Sequence, residues 1–457
     1  MHRIATRAIA LWCLIALLLG GLGYFGYEYF TKGDEWVMSS GNPHIYDEHG
    51  VAFGVILDRG GRLLLDMRDG GTYSPLDTLR MSTVHWVGDR QGNISAPILT
   101  RYKKELAGFS LVDGIYSYGG VGGQMTLSLS AELQVAALEA LGSYAGTVAV
   151  YNYKTGEILC AVTTPTFDPD HLPDIAGDTT GAYEGVYWNR FTQSAYIPGS
   201  IFKVVTTAAA LEEIPDIMEQ TFTCTGKIEF GIDYVSCERA HGTSSLSQAM
   251  TRSCNCAYAQ IALQLGAQKL QNYVDRFAVT QKLSFDGITT AAGNFSVLDQ
   301  ADVQVAWSGI GQHLDQINPC RFLTFVGAVA NGGVMVEPHV VQSVICGSTV
   351  TYRASEPDGT QIMSPEAAAA LQNLMRNNVL NNYGDENFPG FTICAKSGTG
   401  EVGGNKKPNA MFAGFAADEE YPLAFIVAVE DAGYGKTVCV PILSKVLAAC
   451  KEVLDNP

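Results

Sequence analysis

An apolar segment of twenty residues near the N-terminus limits the compartments in which this chain can fold. Residues 8–27 carry no charged side chain, and as a helix they rise about 30 Å, the thickness of the hydrocarbon core of a bilayer. Arg3 and Arg7 precede the segment, and Glu28 is the first charge after it. The positive-inside rule therefore predicts a cytoplasmic tail at residues 1–7, a single transmembrane anchor at 8–27, and the rest of the chain on the extracytoplasmic side.

A cleaved signal peptide is the alternative interpretation, because a basic start followed by an apolar run is typical of both. No Ala-x-Ala-like site follows promptly, and the run is long for a signal peptide, which favours an uncleaved anchor. The later apolar stretches at 201–211 and 421–430 are short, and we interpret them as core elements of a globular domain.

Composition excludes several classes of protein. The chain has 457 residues, of which 47% are hydrophobic and 16% charged, too apolar a mixture for a mostly disordered chain. Its 29 Lys and Arg against 46 Asp and Glu leave a net charge of −17, so a broad nucleic-acid-binding surface is not expected. Eleven cysteines are too sparse for a disulfide scaffold, and their odd number leaves at least one unpaired.

Beyond the apolar segment, the chain divides into two regions. Residues 31–123 are rich in Gly, Asp, Tyr and Ser with short alternating apolar runs, which predicts a small β-rich, pedestal-like module next to the membrane. The glycine-rich segment 119–123 predicts a flexible boundary. Residues 125–457 form the second region, in which helical and strand patterns follow one another.

Strand patterns at both ends of this second region enclose a helical middle. Two early strands and three late ones imply a mixed α/β domain with a five-stranded, mainly antiparallel sheet flanked by helices. The predicted elements are a helix after Ser130, a hairpin at 146–162, a helix at 202–212, a helix capped by Ser364, strands at 391–396, 409–416 and 422–430, and a last helix around 440–454.

One Ser-x-x-Lys tetrapeptide, Ser200 to Lys203, stands at the start of the 202–212 helix. Residues three apart share a helix face, so the amine of Lys203 can reach the hydroxyl of Ser200. Backbone N–H groups near a helix N-terminus also point toward an incoming anion. Alone the tetrapeptide is weak, because an ordinary helix start with a solvated lysine has the same pattern.

Two further motifs each occur twice. Ser253-Cys254-Asn255 follows Ser200 and lies at an element boundary, whereas Ser40-Gly41-Asn42 is interpreted as a loop near the membrane. Lys396-Ser397-Gly398 with Thr399 follows a β-rich run, whereas Lys154-Thr155-Gly156 is the turn of the early hairpin. We assign function to Lys396-Ser397-Gly398 and interpret Lys154-Thr155-Gly156 as a turn.

Ser-x-x-Lys, Ser-x-Asn and Lys-Ser-Gly in this order are much more specific together than any one of them. With them, residues 125–455 resemble the catalytic domain of class B penicillin-binding proteins, which are peptidoglycan D,D-transpeptidases of the serine penicillin-recognising family. Further stretches resemble that domain: 146–169, Asn189-Arg190, Pro198-Gly199, Gly311-Gln312, Asn331-Gly332-Gly333 and Ala413-Gly414-Phe415. The resemblance implies the penicillin-binding transpeptidase/β-lactamase-like fold, with Ser397 where the family usually has Thr.

The same resemblance implies the role of each residue. Ser200 is the nucleophile, Lys203 its base and Ser253 a proton relay. The substrate-binding residues are Asn255, Lys396, Ser397, Gly398 and Thr399, and the backbone N–H groups of Ser200 and Thr399 form the oxyanion hole. The implied partners are D-Ala-D-Ala stem peptides, β-lactam antibiotics and, as a candidate, a membrane glycan polymerase of the elongation or division machinery; no cofactor is required.

Several alternatives share this motif set. A D,D-carboxypeptidase differs only in accepting water, and a β-lactamase needs a device to activate deacylating water, for which no convincing counterpart lies between Asn255 and Lys396. From a different class, the chain could be a β-lactam-binding sensor or a non-catalytic scaffold of the cell-wall machinery. A sensor would need a signalling domain on the cytoplasmic side, and only about seven residues precede the apolar segment.

The cysteines give two smaller predictions. Cys224 and Cys237 are the best local candidates for a disulfide, with two free thiols as the equal alternative. Cys254-x-Cys256 is too short and isolated for a zinc site, so no metal is expected there and the thiols are assigned to packing. His241, near the candidate pair, is interpreted as a loop residue.

Overall fold

The computed structural model describes residues 2–37, 46–47, 50–51, 53–68, 70–107, 122–355 and 358–456. The helices in these residues are α1 (His2–Val37), α2 (Asp77–Val87), α3 (Pro97–Arg101), α4 (Lys103–Ala107), α5 (Ala131–Leu141), α6 (Arg190–Gln193), α7 (Lys203–Glu213), α8 (Leu246–Thr251), α9 (Asn255–Arg276), α10 (Asp302–Ser308), α11 (Pro319–Ala330), α12 (Pro365–Asn378) and α13 (Gly435–Asp455). Short 3₁₀ turns lie at Gly199–Ile201 and Asp385–Asn387, and a π-helical turn lies at Val379–Tyr383.

The strands in the same residues are β1 (Tyr46–Asp47), β2 (Gly50–Val51), β3 (Val55–Leu57), β4 (Leu63–Asp66), β5 (Thr72–Tyr73), β6 (Gln124–Leu127), β7 (Gly146–Asn152), β8 (Ile158–Thr164), β9 (Thr221–Cys224), β10 (Lys227–Phe230), β11 (Asp233–Ser236), β12 (Gly242–Ser245), β13 (Ser284–Phe285), β14 (Ile288–Thr289), β15 (Val334–Met335), β16 (Val341–Cys346), β17 (Thr349–Arg353), β18 (Thr360–Gln361), β19 (Ile393–Gly400), β20 (Asn409–Ala416) and β21 (Leu423–Val429).

The N-terminal helix α1 is apolar and exposed. Residues 3–33 are long and apolar enough to cross a membrane, and the predicted anchor at 8–27 lies within them. Helix α1 begins at His2, so residues 2–7 of the predicted cytoplasmic tail are helical too. No helix-breaking residue separates these first residues from the apolar run, so the helical pattern continues through them.

A five-stranded antiparallel sheet in the order β19-β20-β21-β7-β8 is the centre of the second region, as predicted. Both of its faces are buried, which explains why its strands are almost continuously apolar. Along β7, Val148 and Val150 pack with α5 and α13, whereas Ala149 and Tyr151 pack with α11 and the helices beyond it. The two-residue period of the strand therefore divides its side chains between two hydrophobic cores.

The local signals for the helices are confirmed. Ser130 caps α5 by accepting a hydrogen bond from Leu133 N, and Ser364 caps α12 with Pro365 at its first position. Strand β19 is longer than predicted, because it continues beyond Lys396 to Gly400 and pairs in register with β20 throughout. Its glycines weaken the strand pattern in the sequence, but in the fold they permit close packing on the neighbouring 3₁₀ turn.

A second, six-stranded sheet has the order β17-β16-β6-β3-β4-β5. Strand β6 pairs in parallel with β3, and β16 and β17 come from residues beyond 340. This sheet therefore combines strands from both sides of the predicted boundary between 31–123 and 125–457. The predicted hinge glycines 119 and 120, together with Val121, lie outside the described residues.

Candidate active site

Ser200 lies in a 3₁₀ turn, Gly199–Ile201, that packs directly on β19, an edge strand of the five-stranded sheet. Gly199 has a φ of +55°, and a Cβ there would lie 2.2 Å from the carbonyl oxygen of Thr399. A Cβ on Gly398 would lie 2.4 Å from the carbonyl oxygen of Pro198. These backbone contacts exclude larger residues and hold strand β19 beside Ser200.

The amines of Lys203 and Lys396 meet at Ser253. Both lysine side chains are buried, at 0% and 1% exposure. Lys203 Nζ and Lys396 Nζ each lie 3.1 Å from Ser253 Oγ. Lys203 Nζ also donates to Ser253 O and to Asn255 Oδ1, both at 2.7 Å, and lies 5.3 Å from the centre of the Tyr258 ring. The three motifs that the sequence separates by almost 200 residues are therefore joined by hydrogen bonds.

Burial changes the acid–base properties of both lysines. It lowers the pKa of Lys203 to about 7, because the charged ammonium has lost its water. It also lowers the pKa of Lys396 well below the usual lysine value, and repulsion from Lys203 adds to this effect. A buried amine near neutrality can accept a proton, whereas a solvated lysine cannot.

The Ser-x-Asn motif is the connection into helix α9. Ser253 has a φ of +50°, a backbone conformation that non-glycine residues rarely adopt. Asn255 accepts from Lys203 and donates from Nδ2 to the carbonyl oxygen of Ser236 at 2.8 Å. An asparagine amide has a second donor hydrogen and a second lone pair, so it retains the capacity to bind a substrate amide.

Strand β19 presents Ser397 and Thr399 to the same side as the 3₁₀ turn. The carbonyl oxygen of Thr399 accepts from Gln312 Nε2 at 3.0 Å, away from β20. In an antiparallel strand the N–H and C=O of one residue point in the same direction, so the Thr399 N–H also faces the turn of Ser200. This direction fits the predicted oxyanion hole formed with Ser200 N–H.

Two contributing residues carry no signal of this role in the sequence pattern. The buried Tyr383 hydroxyl donates to Ser397 Oγ at 2.8 Å and accepts from Ser397 N at 2.7 Å. Gln312 follows Gly311, whose carbonyl accepts from Gly199 N at 2.8 Å. The pair Gly311-Gln312 was detectable only through the resemblance, because its partners are more than 80 residues away in the chain.

These residues surround one cavity of about 780 Å³. Ser200, Ser253, Asn255, Ser397 and Thr399 line it, and the two buried lysine amines contact it through Ser253 Oγ. The Ser200 side chain is half-exposed there, and within the described residues its hydroxyl makes no hydrogen bond. The amine of Lys203 therefore contacts Ser253 and Asn255 instead of making the expected contact with Ser200.

The other copies of the motifs lie elsewhere. Lys154-Thr155-Gly156 forms the turn between β7 and β8, where Lys154 Nζ donates to Asn331 Oδ1 at 2.7 Å. Ser40-Gly41-Asn42 lies outside the described residues. Cys224 and Cys237, the candidate disulfide, are both free thiols in the structure.

Comparison with known proteins agrees with this geometry. Residues 146–448 match the family described as penicillin binding protein transpeptidase domain. The chain is 28% identical over 384 residues to the peptidoglycan D,D-transpeptidase PbpA of Mycolicibacterium smegmatis. The aligned segment covers 77% of this chain and 77% of that protein.

Solved structures show the same fold. The D,D-transpeptidase domain of a peptidoglycan glycosyltransferase from Eggerthella lenta has a TM-score of 0.74 and 26% identity, covering 88% of this chain and 98% of that one. The ceftriaxone acyl-enzyme complex of penicillin-binding protein A from M. tuberculosis has a TM-score of 0.76 and 24% identity, covering 88% and 99%. With a family match over most of its length, the chain belongs to the penicillin-binding protein transpeptidase family.

Proposed function

We propose that this chain is a membrane-anchored serine D,D-transpeptidase that cross-links peptidoglycan stem peptides and is acylated by β-lactams. The observation that supports it most directly is the meeting of two buried lysine amines on Ser253 Oγ beside a cavity that Ser200 lines. The name of the M. smegmatis relative states the same activity for that protein.

Acylation begins with Ser200. Its Oγ attacks the carbonyl carbon of the penultimate D-Ala, while its proton passes to the neutral amine of Lys203. The oxyanion accepts hydrogen bonds from the backbone N–H groups of Ser200 and Thr399. When the C–N bond breaks, the proton travels through the Ser253 hydroxyl to the nitrogen of the leaving D-Ala, and an ester on Ser200 remains.

Lys396 binds the carboxylate of the substrate and influences the protonation of Lys203. The terminal carboxylate of the stem peptide binds beside Lys396, Ser397 and Thr399, and an anion there restores the ammonium form of Lys396. A charged Lys396 in turn favours the neutral form of Lys203. Substrate binding therefore prepares the base, because one buried site disfavours two ammonium groups.

Deacylation determines the product. The amine of a neighbouring stem peptide attacks the ester carbonyl, gives its proton back through Lys203 to Ser200 Oγ, and forms the cross-link. A D,D-carboxypeptidase would use water instead. Incubation with a pentapeptide donor and an acceptor amine, followed by mass spectrometry, separates the two by the mass of the product.

The anchor determines where this chemistry takes place. Residues 3–33 form a helix that can cross a membrane, with Arg3 and Arg7 at its start. We place its N-terminus in the cytoplasm and the catalytic domain outside the bacterial cell membrane, where stem peptides are cross-linked. A membrane glycan polymerase is the proposed partner, since cross-linking requires new glycan strands nearby.

Labelling with a fluorescent penicillin tests the proposal. The full chain in detergent should form one stable adduct by intact-protein mass spectrometry, and peptide mapping after digestion should place it on the peptide that contains Ser200. Ser200→Ala should abolish the label, and the exposed Ser296→Ala should retain it. Undiminished labelling of Ser200→Ala, or rapid turnover of a chromogenic β-lactam without a stable adduct, would contradict the assignment.

A further inference from the structure

Four potential metal ligands meet beside the active site, although they are spread over thirty residues of sequence. Cys224, Cys237 and Cys254 contribute sulfur atoms and His241 a ring nitrogen, and all four atoms lie within 4.8 Å of one another. Cys224 and Cys254 are buried, and the other two are half-buried. We call these four residues the thiol cluster.

The spacing within the thiol cluster matches a tetrahedral metal site. Zinc bonds of about 2.3 Å to sulfur and about 2.0 Å to nitrogen give edges of about 3.8 Å between two sulfurs and about 3.6 Å between sulfur and nitrogen. Cys237 Sγ lies 3.8 Å from Cys254 Sγ, and Cys224 Sγ lies 3.7 Å from His241 Nδ1. Two opposite edges of the tetrahedron therefore already have the lengths that zinc requires.

The backbone around the cluster favours thiolates. Cys256 N donates to Cys237 Sγ at 3.3 Å, and Ala257 N donates to Cys254 Sγ at 3.4 Å. Both N–H groups belong to the first turn of α9, the positive end of the helix dipole. Hydrogen bonds of this kind orient and stabilise the thiolate ligands of a metal.

We propose that Cys224, Cys237, His241 and Cys254 bind one structural zinc ion. Soft thiolates with one imidazole select zinc among the common divalent ions. Four protein ligands leave no open position, so the ion does not activate water. The spacing of Cys254-x-Cys256 alone predicts no zinc site; the structure instead joins Cys254 to residues on β9, after β11 and before β12.

The proposed zinc holds the Ser-x-Asn motif in position. Cys254 lies between Ser253 and Asn255, and Cys237 follows Ser236, whose carbonyl accepts from Asn255. A metal bond on each side of these contacts would maintain the positive φ of Ser253. The metal site stands independently of the proposed reaction, and only this positioning role rests on the proposed function.

Metal analysis of the full chain tests the site. Protein purified in detergent under reducing conditions, without chelators, should contain about one zinc ion per chain by mass spectrometry of the metal. Cys224→Ser and His241→Ala should each reduce this to below about a tenth. Cys320→Ala is the matched control, because that thiol is buried in α11 outside the cluster, and it should retain the zinc.

A second measurement uses the unmodified chain, so its result does not depend on whether the variants fold. Replacing zinc by Co²⁺ in the unmodified chain should give the intense visible bands and the sulfur-to-cobalt charge-transfer absorption of a tetrahedral thiolate site. A reduced chain that contains no zinc and takes up no Co²⁺ would overturn the proposal. A Cys224–Cys237 disulfide that persists in place of metal, or zinc retained in both ligand variants, would overturn it as well.

Penicillin labelling tests the positioning role separately. Loss of zinc in His241→Ala should slow the labelling of Ser200 by at least about tenfold, and Cys320→Ala should label at the normal rate. A zinc-free variant that labels at the normal rate would overturn the positioning role. Because metal content is measured without substrate, failure of the proposed reaction would leave the result on zinc unaffected.

Discussion

At the scale of single residues, the proposed chemistry depends on a lysine whose pKa is about 7. Lys203 is fully buried and lies among Ser253, Asn255 and the Tyr258 ring, with no carboxylate among its hydrogen-bond partners in the described residues. Burial therefore lowers its pKa to about 7 instead of being offset by an ion pair. An identical tetrapeptide on a solvated helix would carry an ordinary, protonated lysine.

This lowered pKa predicts the pH dependence of acylation. The active form is the free amine, so the rate constant for acylation by penicillin should rise with pH and level off above about 7. Lys203→Arg keeps the charge at every pH and should acylate about 10²–10⁴-fold more slowly. Lys154→Arg, in the motif copy outside the site, should leave the profile unchanged. Stopped-flow labelling with penicillin at pH values on both sides of 7 measures this profile. A profile without an inflection near pH 7 would contradict the assignment of Lys203 as the base.

At the scale of elements, the site depends on backbone packing between β19 and the 3₁₀ turn of Ser200. Gly199, Gly398 and Gly400 each leave no space for a Cβ, whose nearest neighbour would be a carbonyl oxygen at 2.1–2.4 Å. This contact places Ser397 and Thr399 beside Ser200, the proposed nucleophile. The glycines are therefore part of the site although they contribute no side chain.

Gly398→Ala should separate these two elements. Its Cβ must displace the Pro198 carbonyl by about 1 Å, a shift that costs about 100-fold in reactions that depend on alignment. Gly60→Ala is the control, since a Cβ there makes only ordinary contacts with Asp58 from 3.5 Å. We compare the second-order rate constants for penicillin labelling of both variants with that of the unmodified chain. Circular dichroism checks that each variant is folded. Labelling of Gly398→Ala within about threefold of the unmodified chain would show that the contact is not required.

At the scale of the whole molecule, the N-terminal region and the catalytic domain are connected by a buried ion pair as well as by the six-stranded sheet. Arg80 on α2 donates to Asp168 from Nε at 2.7 Å and from Nη2 at 2.5 Å, and both side chains are at most 14% exposed. Hydrogen bonds from Arg80 hold the pKa of Asp168 well below its usual value. The pair thus contributes to stability wherever the carboxylate is ionised.

Asp168→Asn should lower the free energy of unfolding at neutral pH by about 2 kcal/mol, because it removes the two charge-assisted hydrogen bonds from Arg80 and leaves Asp170, at 3.7 Å, as the remaining ionic partner of that buried cation. A carboxyl group whose pKa is lowered on folding contributes stability above its unfolded pKa of about 4 and loses it as the pH falls further. The variant should therefore lose less stability on acidification than the unmodified chain does.

Denaturant unfolding at several pH values measures both effects. Asp385→Asn is the control, because the Arg376–Asp385 pair has the same chemistry but Asp385 is 46% exposed, and its loss should cost at most about 1 kcal/mol. Equal losses in the two variants would mean that burial does not strengthen the Arg80 pair.

The amino-acid sequence alone determined the membrane helix, the helix caps, the buried strands and the order of the three motifs. Each of these depends on neighbours within a few residues, through hydrophobic period, capping at Ser130 and Ser364, and turn chemistry at Lys154-Thr155-Gly156. Even the choice between the two Lys-[Ser/Thr]-Gly copies followed from local context, because one forms the turn of a hairpin and the other follows an apolar strand.

Only the tertiary structure decided which distant residues meet. Tyr383 binds Ser397, Gln312 binds Thr399, and strands 341–353 join the sheet of residues 55–73, although no local pattern distinguishes them. The thiol cluster is the clearest case, since its members lie at the end of β9, after β11, before β12 and at the N-cap of α9, and the pairing of β9 with β12 brings Cys224 next to His241. Contacts of this kind depend on long-range packing, which a pattern over neighbouring residues does not contain.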